Sequence, residues 1–175
     1  SIIEALVKKY VSEGKTEPVY HCLSHPCSAE AEAVSRAITL AKTYEHNVYI
    51  VHLSSAEGLD ELKKLCGKGY KFMAETCPQY LLLSNDLYFN PGFEPAKYVM
   101  SPPLRAQEHL DELWDGINEG LIRVVATDHC PFNFKGQKEM GINDFRKIPN
   151  GIGGVGDRFN LLFSYGVGFK RISLN

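Results

Sequence analysis

Three short apolar runs, separated by segments of helical periodicity, constrain this chain more than any other feature. They are Asn47–Leu53, Tyr70–Glu75 and Leu121–Thr127. Runs with no polar face fit strands buried on both sides, as in a parallel sheet. Between them the apolar residues recur every three or four positions. One helix is predicted over Ser1–Glu13, with Ile2, Ile3, Leu6, Val7, Tyr10 and Val11 on one face. A second runs from about 29 to 44, where Val34, Ala37, Ile38 and Ala41 form the stripe and Glu30 and Glu32 suit the positive end of the dipole. A capping box, Ser54-Ser55-Ala56-Glu57, opens a third. It carries Leu59, Leu62 and Cys66 and ends at Gly67 and Gly69. A fourth, about 107 to 119, buries Leu110, Leu113, Trp114 and Ile117 and stops at Gly120. Ile152–Tyr165 reads as a last helix. Gly14–Ser28, Thr76–Arg105 and Phe132–Asn150 read as loops, with at most a short extended piece at Val19-Tyr20. Strands alternating with helices predict an α/β fold on a parallel sheet.

Charge excludes several partners. Lysine plus arginine is 19 and aspartate plus glutamate is 21, a net charge of −2. So neutral a chain has no electrostatic footprint for nucleic acid or an anionic membrane. No apolar run approaches the roughly 18 residues of a membrane span. Ser1-Ile2-Ile3-Glu4 has neither the basic start nor the small-residue site of a signal peptide. Five cysteines, an odd number with no C-x-x-C spacing, predict free thiols and a cytoplasmic protein. The chain opens already helical, without an initiator methionine, and ends at Asn175 without a stop signal. The expectation is a piece of a longer protein, the alternative being a domain with a processed start.

Chemistry in parallel α/β proteins gathers at the carboxyl ends of strands. The three predicted strands end in His52, in Glu75 and in Asp128-His129. A carboxylate at the end of a buried strand needs a partner, and a metal ion is the simplest. Histidine with aspartate suits zinc or a similar divalent ion. Alone, His52 reads more simply as a packed histidine and Asp128 as a loop cap; together they strengthen each other. Zinc takes about three or four protein ligands, and no third is evident. His21, His25, His46 and His109 lie in loops or on helices, where structural roles are expected.

Five segments occur in a telling order: Val51-His-Leu-Ser-Ser55, Glu75-Thr-Cys-Pro-Gln-Tyr-Leu81, Ser101-Pro-Pro-Leu-Arg105, Ala126-Thr-Asp-His-Cys-Pro-Phe132 and Lys147-Ile-Pro-Asn-Gly151. Phe134-Lys-Gly-Gln-Lys138 lies between the last two. Together, from about Pro18 to Asn175, they resemble the D-hydantoinase/dihydropyrimidinase branch of the cyclic amidohydrolases. The resemblance implies a metal-dependent amidohydrolase (β/α)₈ TIM-type barrel. Such a barrel needs at least about 200 residues, so residues 1–175 would form one incomplete domain, the C-terminal part of the catalytic barrel. The N-terminal half and the flanking β-sandwich would be absent.

The resemblance implies two divalent metal ions, usually zinc, held by an H-x-H pair, a carboxylated lysine, two further histidines and an aspartate. His52 matches the later of those two histidines and Asp128 the aspartate. The H-x-H pair, the lysine and the other histidine match nothing in this sequence. Asp128 would also move the proton in hydrolysis, with His129 an indirect partner. Main-chain atoms at Ser101 and Asn150 would bind the ring of a small cyclic amide, fixed by Pro102, Pro103, Pro149 and Gly151. His25 departs mildly from the arginine frequent in relatives. The activity implied is ring opening of a hydantoin or dihydropyrimidine, by a homo-tetramer in the full-length enzyme, with this piece inactive alone. An allantoinase or dihydroorotase, or a non-catalytic dihydropyrimidinase-like assembly protein, are the alternatives.

Overall fold

The computed structural model describes residues 1–64 and 72–174. Strands β1 (Val48–Ile50), β2 (Phe72–Thr76) and β3 (Ile122–Val125) form one parallel sheet in the order β1-β2-β3. Val48 pairs with Phe72 and Ile50 with Ala74. The β2–β3 register shifts between Ala74 and Glu75. Strands β1 and β3 are shorter than the apolar runs that contain them, while β2 reaches Thr76. Tyr70, Cys66, Gly67 and Gly69 lie outside the described residues.

Parallel neighbours need crossover connections, and helices supply them. Helix α1 spans Ile2–Ser12, α2 Val19–Ser24, α3 Cys27–Thr43, α4 Ala56–Lys63, α5 Pro78–Leu82, α6 Gln107–Asn118 and α7 Arg158–Leu161. Leu59 and Leu62 of α4, Leu113 and Trp114 of α6, and Val34 and Ile38 of α3 share one core with Ala74 and Ile122 of the sheet. Gly116 lets α6 approach α4, since a Cβ there would stand 2.9 Å from a Leu59 methyl. Tyr49, Val51 and Met73 instead are exposed. No helix among the described residues is long and apolar enough to cross a membrane.

Several expectations need correction. Val19-Tyr20 is not extended; it opens α2, because Pro18 already holds a helical φ of −54° and His21 and Cys22 anchor the turn in the core. The loop after β2 is more ordered than its prolines suggest, with α5 and 3₁₀ turns at Asn85–Phe89 and Glu94–Tyr98. The loop expected over Phe132–Asn150 likewise contains 3₁₀ turns at Lys138–Gly141 and Phe145–Lys147. The last helix is only α7 followed by a π-helical turn, Leu162–Val167. Gly153, Gly154 and Gly156 keep the preceding residues out of it. The cap of α4 is Ser55, whose hydroxyl accepts from the Gly58 amide at 3.1 Å.

Ser54 is taken by another partner. Glu30, in the first turn of α3, accepts from the Ser54 amide at 3.0 Å, from the Ser54 hydroxyl at 2.9 Å and from the Ser55 hydroxyl. Arg105 donates through Nε to the Ser54 hydroxyl at 3.0 Å and through Nη1 to the His25 carbonyl. Both serines are fully buried and Arg105 is 5% exposed. Glu30→Ala should therefore lower the stability of the full-length protein by about 2–4 kcal/mol, since it strands buried donors beside a buried guanidinium. Denaturant midpoints measure this. Glu32→Ala, which removes only an exposed pair with Arg36, should cost under about 1 kcal/mol.

Candidate active site at the carboxyl ends of the strands

The strands are parallel, so His52 after β1 and Asp128 after β3 come to the same end of the sheet. Both have left-handed backbones, with φ of 38° and 48°. Such a conformation is rare outside glycine and draws attention to function where no helix end explains it. Glu45 and Lys170 share it among the described non-glycine residues, and both lie at the ends of helical turns. At His52 the kink does not end the pairing. The Leu53 amide donates to the Glu75 carbonyl at 2.7 Å, and the Thr76 hydroxyl donates to the Leu53 carbonyl at 2.7 Å. Beyond β3 the Ala126 amide donates to the Thr76 carbonyl at 2.9 Å, and the Gln79 side chain donates through Nε2 to the Thr127 carbonyl at 3.2 Å. Each candidate ligand thus stands on a backbone braced on both sides.

His52 is half-buried and Asp128 exposed. Neither side chain has a hydrogen-bond or ion-pair partner among the described residues. An imidazole nitrogen and a carboxylate with open lone pairs fit a divalent cation. The third strand end differs, since Glu75 accepts from the Tyr49 hydroxyl across β1 and β2. His129 is also occupied; its Nδ1 accepts from the Gly154 and Val155 amides at 3.0 and 3.2 Å.

Ser101 and Asn150 come together, with the Ser101 hydroxyl donating to Asn150 Oδ1 at 2.9 Å. The Asn150 side chain donates in turn through Nδ2 to the Ile148 carbonyl. The Ser101–Pro102 peptide is cis. Ser101 and His52 line one cavity of about 330 Å³ with Glu30 and Arg105. A larger cavity of about 400 Å³, by Leu81, Leu110 and Tyr165, holds none of the predicted site residues.

The main chain around these two residues is held by side chains. Tyr88 donates to the Tyr98 carbonyl at 2.7 Å and accepts from the Leu104 amide. His21 Nε2 donates to the Met100 carbonyl at 2.8 Å, and Tyr80 donates to the Pro102 carbonyl at 2.8 Å. The Gly151 amide donates to the Val99 carbonyl. Gly151 has φ 152°, and a Cβ there would stand 2.2 Å from the Cys130 carbonyl oxygen. Only glycine lets the two loops pass so closely. The main-chain N–H and C=O of Ser101 and Asn150 themselves have no partner among the described residues.

Sequence reasoning missed Glu30 as a cap, and Arg105, His21, Tyr80 and Tyr88 as anchors. His21, His25 and His109 do have the expected structural places. His25 Nδ1 donates to the His21 carbonyl. His109 joins Cys27 and Glu57 in a cluster whose donor atoms lie within 4.8 Å of one another. Its Nδ1 accepts from the Ala56 amide at 3.2 Å, so Nε2 carries the proton and faces the Cys27 sulfur at 3.6 Å. That leaves the ring no lone pair for a cation, and burial pushes the Cys27 thiol up to about 11.

The comparisons agree with this architecture. No family model matches the chain. It is 44% identical over 174 residues, 99% of its length, to the D-hydantoinase of Geobacillus stearothermophilus. It is 46% identical over 166 residues to the D-hydantoinase of Ralstonia pickettii. The crystal structure of dihydropyrimidinase from Brevibacillus agri NCHU1002 superposes with a TM-score of 0.97 at 45% identity, over 99% of this chain and 38% of that one. The chain spans 37% and 36% of the length of the two curated relatives. Fold and strand-end residues define a partial α/β protein with its polar groups gathered at one end of a parallel sheet. The chain belongs to the D-hydantoinase/dihydropyrimidinase family and matches a segment of it.

His21 gives this region a dependence on acid. Burial, with His25 beside it, pushes its pKa down from 6.5 to about 3. The unfolded chain therefore binds a proton that the folded one refuses between those values, and stability falls as pH drops through that window. His21→Gln keeps an N–H for Met100 and does not titrate. Between pH 6 and 4 the wild type should lose about 2 kcal/mol more stability than the variant. Urea unfolding of the full-length protein at both pH values reads the difference; parallel losses would remove His21 from the account.

Proposed function

We propose that the full-length protein carrying this chain hydrolyses a cyclic amide bond, opening a hydantoin or dihydropyrimidine ring in a metal-dependent reaction. One observation supports it above the others. Flanking carbonyls are taken up by donors, while the main-chain groups of Ser101 and Asn150 have no partner among the described residues. Donor and acceptor pairs of this kind match the alternating N–H and C=O edge of a cyclic amide. The names of the relatives, D-hydantoinase and dihydropyrimidinase, point to the same substrate class.

In this reading residues 1–175 are part of one (β/α)₈ catalytic barrel. His52 and Asp128 are two of the ligands of a site for two divalent ions, zinc or similar. The H-x-H pair, a carboxylated lysine and the other histidine come from the rest of the protein. When bound, the ions lower the pKa of the attacking water and polarise the ring carbonyl. An oxygen of Asp128 accepts the water's proton and returns it to the ring nitrogen as the C–N bond breaks. Ser101 and Asn150 hold the ring so that its carbonyl faces the water, converting an encounter into an oriented reaction. The assembly is a homo-tetramer, which sedimentation of the full-length protein tests.

Hydantoin and dihydrouracil hydrolysis by the full-length protein is the direct experiment. Turnover should vanish with a chelator and return with zinc. Asp128→Asn should lower kcat by about 10²- to 10⁴-fold, because an amide cannot accept the proton. His52→Ala should lower the bound metal per chain. A wild type that opens neither ring would overturn the assignment, and an Asp128→Asn variant with full metal and undiminished kcat would remove Asp128 as the base.

A further inference from the structure

Lys138 is the least ordinary side chain in the described chain. Lysine is rarely buried without an acidic partner, yet Lys138 is 2% exposed and has no carboxylate partner among the described residues. Its ammonium donates to three main-chain carbonyls, Val99 at 2.7 Å, Pro149 at 2.6 Å and Gly151 at 3.0 Å. An ammonium has three protons, so its donors are used up. The Phe132 ring lies 5.6 Å from Nζ and closes over it. Desolvation pushes the pKa down to about 8. Lys138 belongs to a 3₁₀ turn, Lys138–Gly141, that contacts Phe145–Lys147, and neither turn carries His52 or Asp128.

The three carbonyls have meaningful positions. Val99 lies two residues before Ser101. Pro149 and Gly151 bracket Asn150. We propose that Lys138 is a positioning residue for substrate: it gathers these carbonyls inward so that the main-chain groups of Ser101 and Asn150 are left facing the ring. This rests on the reading of those two residues as the ring-binding pair. A charged donor suits the task better than packing, because it fixes three carbonyl directions at one point and joins two loops 39 and 11 residues away in sequence.

The test uses full-length protein loaded with metal, with dihydrouracil and hydantoin as substrates. Lys138→Met keeps the length of the side chain and removes every donor. Lys138→Gln restores two donors. Losing contacts made equally to substrate and transition state raises KM and leaves kcat alone. KM should rise about tenfold or more in Lys138→Met, with kcat within about threefold and metal content unchanged, and Lys138→Gln should fall between it and the wild type. A folded Lys138→Met with wild-type KM overturns the proposal. So does a loss of kcat at constant KM, which would assign Lys138 to another step. If neither variant can be isolated folded, Lys138 serves stability and the positioning role is withdrawn. A wild type that opens no cyclic amide refutes the function instead. The clamp is then read by amide hydrogen exchange, which should rise in Lys138→Met at residues 98–102 and 149–152 and stay unchanged over α3; unchanged exchange at both loops overturns it.

Discussion

One carboxylate organises the exits of two segments from the core. Glu30 belongs to a helix that precedes β1, yet it satisfies the amide and hydroxyl of Ser54 and the hydroxyl of Ser55 just after that strand. The same Ser54 hydroxyl receives Arg105, which ends the Ser101–Arg105 loop. Buried groups of this kind are stable only when every donor and acceptor is matched. The match fixes where β1 turns, and therefore where His52 stands, relative to the loop that carries Ser101. The cavity between them inherits its shape from that match.

Much of the architecture was legible in the sequence, for definite reasons. The three apolar runs had no polar face, which pointed to parallel pairing, and the strands do pair in parallel, although Tyr49, Val51 and Met73 are exposed. The stripe Leu110, Leu113, Trp114 sits in the core because helical spacing leaves it no other place. What escaped notice depends on contacts distant in sequence. Nothing near Glu30 says that its partners are 24 and 25 residues away. Nothing near Lys138 says that it will be buried, since lysine is ordinarily a surface residue. The misread Val19–Ser24 helix and the truncated last helix are local failures. Pro18 opened a helical turn, and Gly153, Gly154 and Gly156 kept the first part of Ile152–Tyr165 out of the last helix.

The candidate site divides along the same line. His52 and Asp128 could be picked from their place at strand ends, because parallel topology alone brings such ends together. Ser101 and Asn150 needed motif resemblance, for neither residue type is distinctive. What no residue pattern contains is the direction of a peptide group. Tyr80, Tyr88, His21 and Lys138 set those directions with hydroxyls, a ring nitrogen and an ammonium, each aimed at a different carbonyl. What is left without partners there, among the described residues, is main chain, and side chains hold the carbonyls on either side of it.

The close approach of Gly151 to Cys130 has a consequence for how such a protein can change. The loop that carries Asp128 and the loop that carries Asn150 touch without a side chain between them. Lengthening one by a residue would push the other out of register, and any larger residue at 151 would drive them apart. Drift in either loop is thereby confined to changes that preserve its path.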